Sequence, residues 1–197
     1  MISKELKEYL FLKLNKKEGE DLTEEDLDKV EEISLNSKTI DFQERRYDFK
    51  DFQKFKNLKF LILQNFKIRN YETNILNRID SLCAVQMTNC KISSKSTLQG
   101  NLELISFRNC KNFSLRYISK LKSLKVLKVG NGKKLNLKGI SIFKNIEKLY
   151  FRNIKLTNSL ELVNLPNLKY LNLAESKYSK KLEKRLARDI EIDKTLM

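Results

Sequence analysis

The chain has 197 residues, 41% of them hydrophobic, and a net charge of +15 from 40 Lys and Arg against 25 Asp and Glu. That length and apolar share suit one domain with a sizeable core. There is no histidine, which removes the commonest general base and metal ligand, and the three cysteines stand in no metal-ligand spacing. No stretch approaches the roughly 20 apolar residues that span a bilayer.

At the N-terminus, residues 2–14 place Ile2, Leu6, Leu10 and Leu14 on one helical stripe. The longest apolar run there, residues 9–12, is far shorter than the core of an export signal. A second short helix is signalled at residues 22–26, with Thr23 as N-cap and acids in its first turn.

From residue 30 the chain repeats. Leu168, Leu171 and Leu173 show the spacing L-x-x-L-x-L. The same spacing recurs at Ile146/Leu149/Phe151, Leu124/Leu127/Val129, Leu102/Ile105/Phe107, Leu82/Val85/Met87, Leu58/Leu61/Leu63 and Val30/Ile33/Leu35. The steps between starts are 28, 24, 20, 22, 22 and 22 residues, a regularity that chance does not supply. Ten or eleven residues after each start comes another apolar residue: Ile40, Ile68, Ile92, Phe113, Leu135, Leu156 and Tyr178. Apolar pairs also precede the starts at Phe52/Phe55, Ile118/Leu121, Ile140/Phe143 and Leu162/Leu165.

This pattern resembles the leucine-rich-repeat family over residues 30 to about 178, specifically the short 22-residue class of internalin-like and phosphatase-regulator-like proteins. The resemblance implies an α/β solenoid of about seven coils with a parallel concave sheet. Each coil buries its apolar positions only against its neighbours. Short steps leave room for a turn or so of helix on the convex side, and the longer first steps for an irregular return carrying residues 42–55. That aromatic segment also offers a cover for any nearby apolar patch.

The ninth position of the family's unit is often Asn. Here it holds Phe66, Cys90, Cys110, Gly132, Ile154 and Ser176, while Asn65, Asn89, Asn109, Asn131 and Asn153 occupy the eighth. Asn tolerates left-handed backbone and bonds its own turn, so these five read as structural, with a functional polar ladder as the alternative. Cys90 and Cys110 read as buried small hydrophobes in the inward slot of adjacent coils. Their proximity would permit a disulfide, but the odd cysteine count fits a reducing compartment better.

A solenoid needs covered ends. Residues 1–29 read as a helical N-terminal cap, resembling the cap of internalin-like proteins, and residues 30–178 as the repeats. Residues 179–197 read as a C-terminal cap with Ser179 as helix N-cap, Leu182 and Leu186 one turn apart, and an edge strand at 189–193. Ile190 falls 22 residues after Leu168. Caps at both ends describe a complete single domain.

No Gly-rich phosphate loop and no nucleophile motif is present, so a catalytic role is not expected and no cofactor or metal is implied. Strand alternation turns the third, fifth and seventh positions of each unit outwards onto the concave face. Phe60, Ile62, Ala84 and Leu104 then form an apolar patch, with Gln86 beside it. Arg108, Lys128, Lys148, Tyr150, Arg152 and Tyr170 form a basic cluster interleaved with aromatics. Such compositions favour interaction sites.

The expected function is a non-enzymatic, cytoplasmic protein-binding module, monomeric when unbound. It would grip an acidic or mixed protein surface through this face as adaptor, regulator or inhibitor. The alternative is nucleic-acid or nucleoprotein binding, Tyr150 and Tyr170 stacking on bases, for example by a bacterial or phage antagonist of a nucleic-acid-loaded effector. Basic residues occur along the whole chain and follow no nucleic-acid-binding motif, so charge alone selects no face; a Lys- and Asn-rich genome would give the same excess.

Overall fold

The structure is a computed structural model that describes residues 2–17, 20–37, 48–186 and 189–195. Ile40 and residues 42–47 of the aromatic segment lie outside the described residues.

Period-2 alternation inside each unit produces one short strand per coil. These are β1 (Glu32–Asn36), β2 (Phe60–Gln64), β4 (Ala84–Thr88), β6 (Leu104–Arg108), β7 (Val126–Gly130), β9 (Lys148–Arg152), β11 (Tyr170–Asn172) and β12 (Glu191–Asp193). They form one eight-stranded parallel sheet in chain order. Shorter strands follow the turns: β3 (Lys67–Ile68) pairs with β5 (Lys91–Ile92), and β8 (Lys134–Asn136) with β10 (Lys155–Thr157). The inward residues Ile33, Leu61, Val85, Ile105, Leu127, Leu149 and Leu171 are all buried and stack one above another. The architecture is a stack of coils around a single core, an α/β solenoid.

Step length sets the convex return. The 24-residue step holds α3 (Asn70–Leu76) and the 20-residue step has no helix. The later 22-residue steps hold α4 (Leu115–Ile118) or 3₁₀ turns at Ile140–Ile142 and Ser159–Asn164. In the first step a 3₁₀ turn at Phe49–Lys54 buries Phe49 and Phe52, and the Phe49 ring meets Phe66 edge-on at 6.0 Å. Residues 48–55 are therefore part of the convex core and do not cover the concave patch.

Each concave strand from β2 to β11 leads into a left-handed residue at the eighth position of its unit. Asn65, Asn89, Asn109, Asn131 and Asn153 have φ between +47° and +64°, and Glu175 takes the same place in the last unit at +55°. The Asn109 amide donates to Asn89 Oδ1 at 2.7 Å, so the turns also bond from coil to coil. The structural reading of these asparagines follows from their backbone. At the ninth position the Sγ–H of Cys90 donates to the Leu63 carbonyl, that of Cys110 to Met87, and the Ser176 hydroxyl to Phe151. Each bonds the equivalent carbonyl one coil back. All three cysteines are free thiols, and contact with Cys90 together with burial pushes the Cys110 thiol up.

At the N-terminal side, α1 (Lys4–Lys13) buries Leu6 and Leu10, and its Tyr9 hydroxyl accepts the outward Ser34 N–H of β1 at 3.0 Å. That hydroxyl occupies one edge N–H of the sheet. Asp51 is buried and accepts both the Ser3 N–H and Lys54 Nζ at 2.7 Å. Burial pushes its carboxyl up, but these two partners more than offset that and hold it below the ordinary value. Thr23 and Asp26 form a capping box at the start of α2 (Glu24–Asp28), and Lys16 holds Asp26 at 2.7 Å and well below the usual carboxylate range.

Two C-terminal expectations need correction. The helix α5 is a single turn, Leu182–Arg185, and Ser179 does not cap it; its carbonyl accepts the Leu182 N–H instead. In the last strand Ile192 stands opposite Leu171, where the 22-residue step from Leu168 to Ile190 would put Asp193, and both isoleucines pack against the core. The short return brings β12 into register one residue early. Among the described residues no helix is long and apolar enough to cross a membrane.

Asn109→Val puts a β-branched residue at φ +52° and removes the coil-to-coil bond, so it is expected to cost about 2 kcal/mol in chemical denaturation. Asp26 and Asp51 have folded values below the ordinary aspartate value of 3.8. Their contribution is complete above that pH and is lost as pH falls through the depressed folded values. Thermal melts should show an acid limb below pH 3.8 that is flattened in Asp51→Asn.

Candidate binding face

The sheet register sets the concave face in three rows. The third positions run Glu32, Phe60, Ala84, Leu104, Val126, Lys148 and Tyr170. The fifth run Ser34, Ile62, Gln86, Ser106, Lys128, Tyr150 and Asn172, and the seventh Asn36, Gln64, Thr88, Arg108, Gly130 and Arg152.

Phe60, Ala84, Leu104 and Val126 are therefore four successive neighbours at about 4.8 Å spacing. Phe60 is 45% exposed, Leu104, Val126 and Ile62 are half-buried, and Gln86 stands exposed beside them. Ala84 is buried, contrary to expectation, because Phe60 and Leu104 overhang its single methyl from both sides.

The second group is a connected cluster. Lys128 Nζ sits 4.9 Å from the centroid of Tyr150, and the Tyr150 and Tyr170 rings lie 5.1 Å apart. Arg108 and Arg152 flank Gly130 in register, and with no side chain at 130 they border a shallow cavity of about 340 Å³ with Lys128 and Tyr150. Arg152 Nε also faces Glu175 at 3.9 Å. Lys148 is exposed one strand from Tyr170. All ten residues picked out from the sequence thus lie on one face, in an apolar half and a cationic–aromatic half.

The C-terminal end of that face differs from the simple alternation. Asn172 and Ala174 are buried, since the chain at 193–195 closes over them. Asp193 accepts the Tyr170 hydroxyl at 2.7 Å and the Asn172 amide at 3.0 Å, while Thr195 donates to its other oxygen. The Thr195 bonds, then Tyr170, hold the Asp193 carboxylate well below its ordinary range, and its acceptance pushes the Tyr170 hydroxyl up. Tyr170 is thus a fixed platform. Sequence reading missed Asp193, because the 22-residue step puts it opposite Leu171 at an inward position and only the observed register brings it beside Asn172.

Among the described residues, no group of three or more Cys, Asp or Glu is placed to hold a metal ion. What the face offers is shape, apolar area, cations and fixed rings.

The chain has the leucine-rich-repeat fold. It superposes on internalin C2 of Listeria monocytogenes with a TM-score of 0.60 at 19% identity, covering 93% of this chain and 88% of that one. An internalin F of the same organism aligns with a TM-score of 0.40 at 14% identity, over 97% of this chain and 74% of that one. No family model matches the sequence, and no curated protein matches it.

Asp193→Ala removes the clamp on Tyr170 and Asn172. Amide exchange at residues 172–174 should accelerate by about tenfold or more, from the loss of hydrogen bonds to a charged group. Exchange in β2, β4 and β6 should not change.

Proposed function

We propose that the protein is a non-enzymatic binding module that grips a partner protein through the concave face. The observation that carries this reading is the unbroken row Phe60–Ala84–Leu104–Val126, with Phe60 exposed and Leu104 and Val126 half-buried around a buried Ala84, continuous with Lys148 and the Lys128–Tyr150–Tyr170 cluster. Aromatic and aliphatic anchors beside Arg and Tyr are the composition of interface hot spots. The partner surface is mixed: apolar against the early coils and acidic against the Arg108, Lys128, Lys148 and Arg152 end. Among solved structures, the likeness to internalin C2 supports a repeat scaffold of this kind.

The module acts as a monomer, as adaptor, regulator or inhibitor, without cofactor. Three free thiols suit a reducing, cytoplasmic setting.

Affinity capture from a nuclease-treated lysate of the native cell provides the partner, and Phe60→Asp and Tyr150→Ala test the face. Each should weaken that complex by about tenfold or more, with melting temperature little changed because both side chains are at least partly exposed. Unaltered affinity in both variants would remove the concave face as the site.

A further inference from the structure

The two rims of the sheet carry different charge patterns. At the strand N-terminal rim the second positions read Glu31, Lys59, Cys83, Glu103, Lys125, Glu147 and Lys169. Acid and base alternate there, and they pair across coils: Lys59–Glu31 at 2.6 Å, Lys125–Glu103 at 2.9 Å and Lys169–Glu147 at 3.0 Å. At the opposite rim, just past the left-handed Asn turns, Lys67, Lys91, Lys111, Lys134, Lys155 and Lys177 follow one another without an acid. Lys67 is in register with Lys91 and Lys91 with Lys111; Lys134 is in register with Lys155 and Lys155 with Lys177. All six are exposed, and among the described residues none makes an ion pair.

Stacking like charges on adjacent strands is destabilising. Both rims face solvent, so a lysine-rich composition alone would populate both alike. The neutralised rim shows that the same coils accommodate acids at such a position. The net charge is also localised: residues 60–177 hold twenty-one Lys and Arg against six Asp and Glu, equal to the +15 of the whole chain. Midway along the lysine row lies a cavity of about 580 Å³, bordered by Lys111, Lys133 and Lys134 and floored by Phe113, Gly132 and Ile154. Gly132 stands where other coils place an inward side chain, and Phe113 stacks on Phe107 with centroids 4.1 Å apart.

We propose that the lysine rim binds the phosphate backbone of a single-stranded nucleic acid, one base of which enters the cavity between Lys111 and Lys134. The row spans about 24 Å at one lysine per ~4.8 Å, a length suited to a few consecutive phosphates on a flexible strand. Long lysine stems adapt to unequal phosphate spacing, which a row of fixed donors would not. A cationic track with an aromatic seat is the combination that holds unpaired strands. The Asn turns separate this rim from the concave face, so the two surfaces are open at once and the proposal stands apart from protein binding.

The test uses the full chain and fluorescent oligothymidylate and oligouridylate of about 12 nucleotides, within the range of single-strand site sizes. With about six phosphates neutralised, the slope of log affinity against log salt should be about −4, a loss near 300-fold between 50 and 200 mM. Replacing Lys91, Lys111, Lys134 and Lys155 by Gln should reduce the slope to about −1.5, without lowering the melting temperature. A charge-matched control replaces exposed Lys13, Lys17, Lys180 and Lys184 by Gln and should keep the wild-type slope. An abasic strand of equal length should bind about tenfold or more weakly, and Phe60→Asp with Tyr150→Ala should leave oligonucleotide binding intact. Either sugar binding supports the assignment and their ratio says which nucleic acid is preferred. The proposal is overturned by no binding at 50 mM salt, by equal losses in rim and control variants, by abasic or duplex competitors that bind as tightly, or by loss in the concave variant.

Discussion

A coil of about 22 residues cannot bury its own apolar side chains; it can bury them only under the coil before and the coil after. That dependence forces adjacent strands into register, so each position of the unit meets its own counterpart along the array. Ile33, Leu61, Val85, Ile105, Leu127, Leu149 and Leu171 form one such column. The rule applies equally to polar groups. A turn carbonyl left inside the stack has to find a donor, and Cys90, Cys110 and Ser176 supply it by reaching one coil back. The residue before five of the starts does the same at the other end of the strand: Asn57, Ser81, Ser123, Asn145 and Asn167 each donate to a carbonyl of the preceding coil. The longer amide reaches the carbonyl two residues before that coil's start, and the shorter hydroxyl reaches the carbonyl of the start itself.

Where the ninth position has no donor, the structure compensates by packing. Phe66 fills its place against Phe49, and the Ile154 side chain packs closely against the Cα of Gly132. A Cβ at 132 would lie 3.0 Å from the Ile154 Cδ1. The departure from the family's usual Asn is therefore distributed: the turn function moves to the eighth position, where Asn supplies left-handed backbone, and the donor function stays at the ninth wherever a small polar residue allows it.

Most of this was legible because the period is short and the inward residues are large. The spacing L-x-x-L-x-L yields strand positions, and alternation then yields the outward rows; the grouping of Phe60, Leu104, Lys128 and Tyr150 followed from register alone. The ends were less legible. Nothing local indicates that Asp193 and Thr195 fold over Asn172 and Ala174, or that β12 enters one residue early, since both depend on contacts made across the last return. Ala84 shows a second limit: alternation says which way a side chain points, but its burial depends on the size of the residues beside it. The Asn/Ser column before the starts was present in the sequence, and passes for ordinary turn composition until its members are seen to donate to carbonyls of the preceding coil, Asn to the residue two before its start and Ser to the start itself.

Charge obeys the same stacking, which is why the two rims differ in kind and not only in degree. A solvent-facing column has two low-energy solutions: alternate the signs, as Glu31 to Lys169 does, or let an external partner neutralise a single sign. The first needs no ligand and adds modest stability, since exposed pairs contribute little. The second leaves repulsion in the free protein that is relieved on binding, so it also sets a salt-dependent affinity. The concave face lies between these rims and draws on neither, because its cations are few, set among rings, and partly engaged, as Lys128 is with Tyr150 and Arg152 with Glu175. One rigid stack can therefore present an apolar–aromatic surface and a polyanion track at once, each specified by a different position of the same repeated unit.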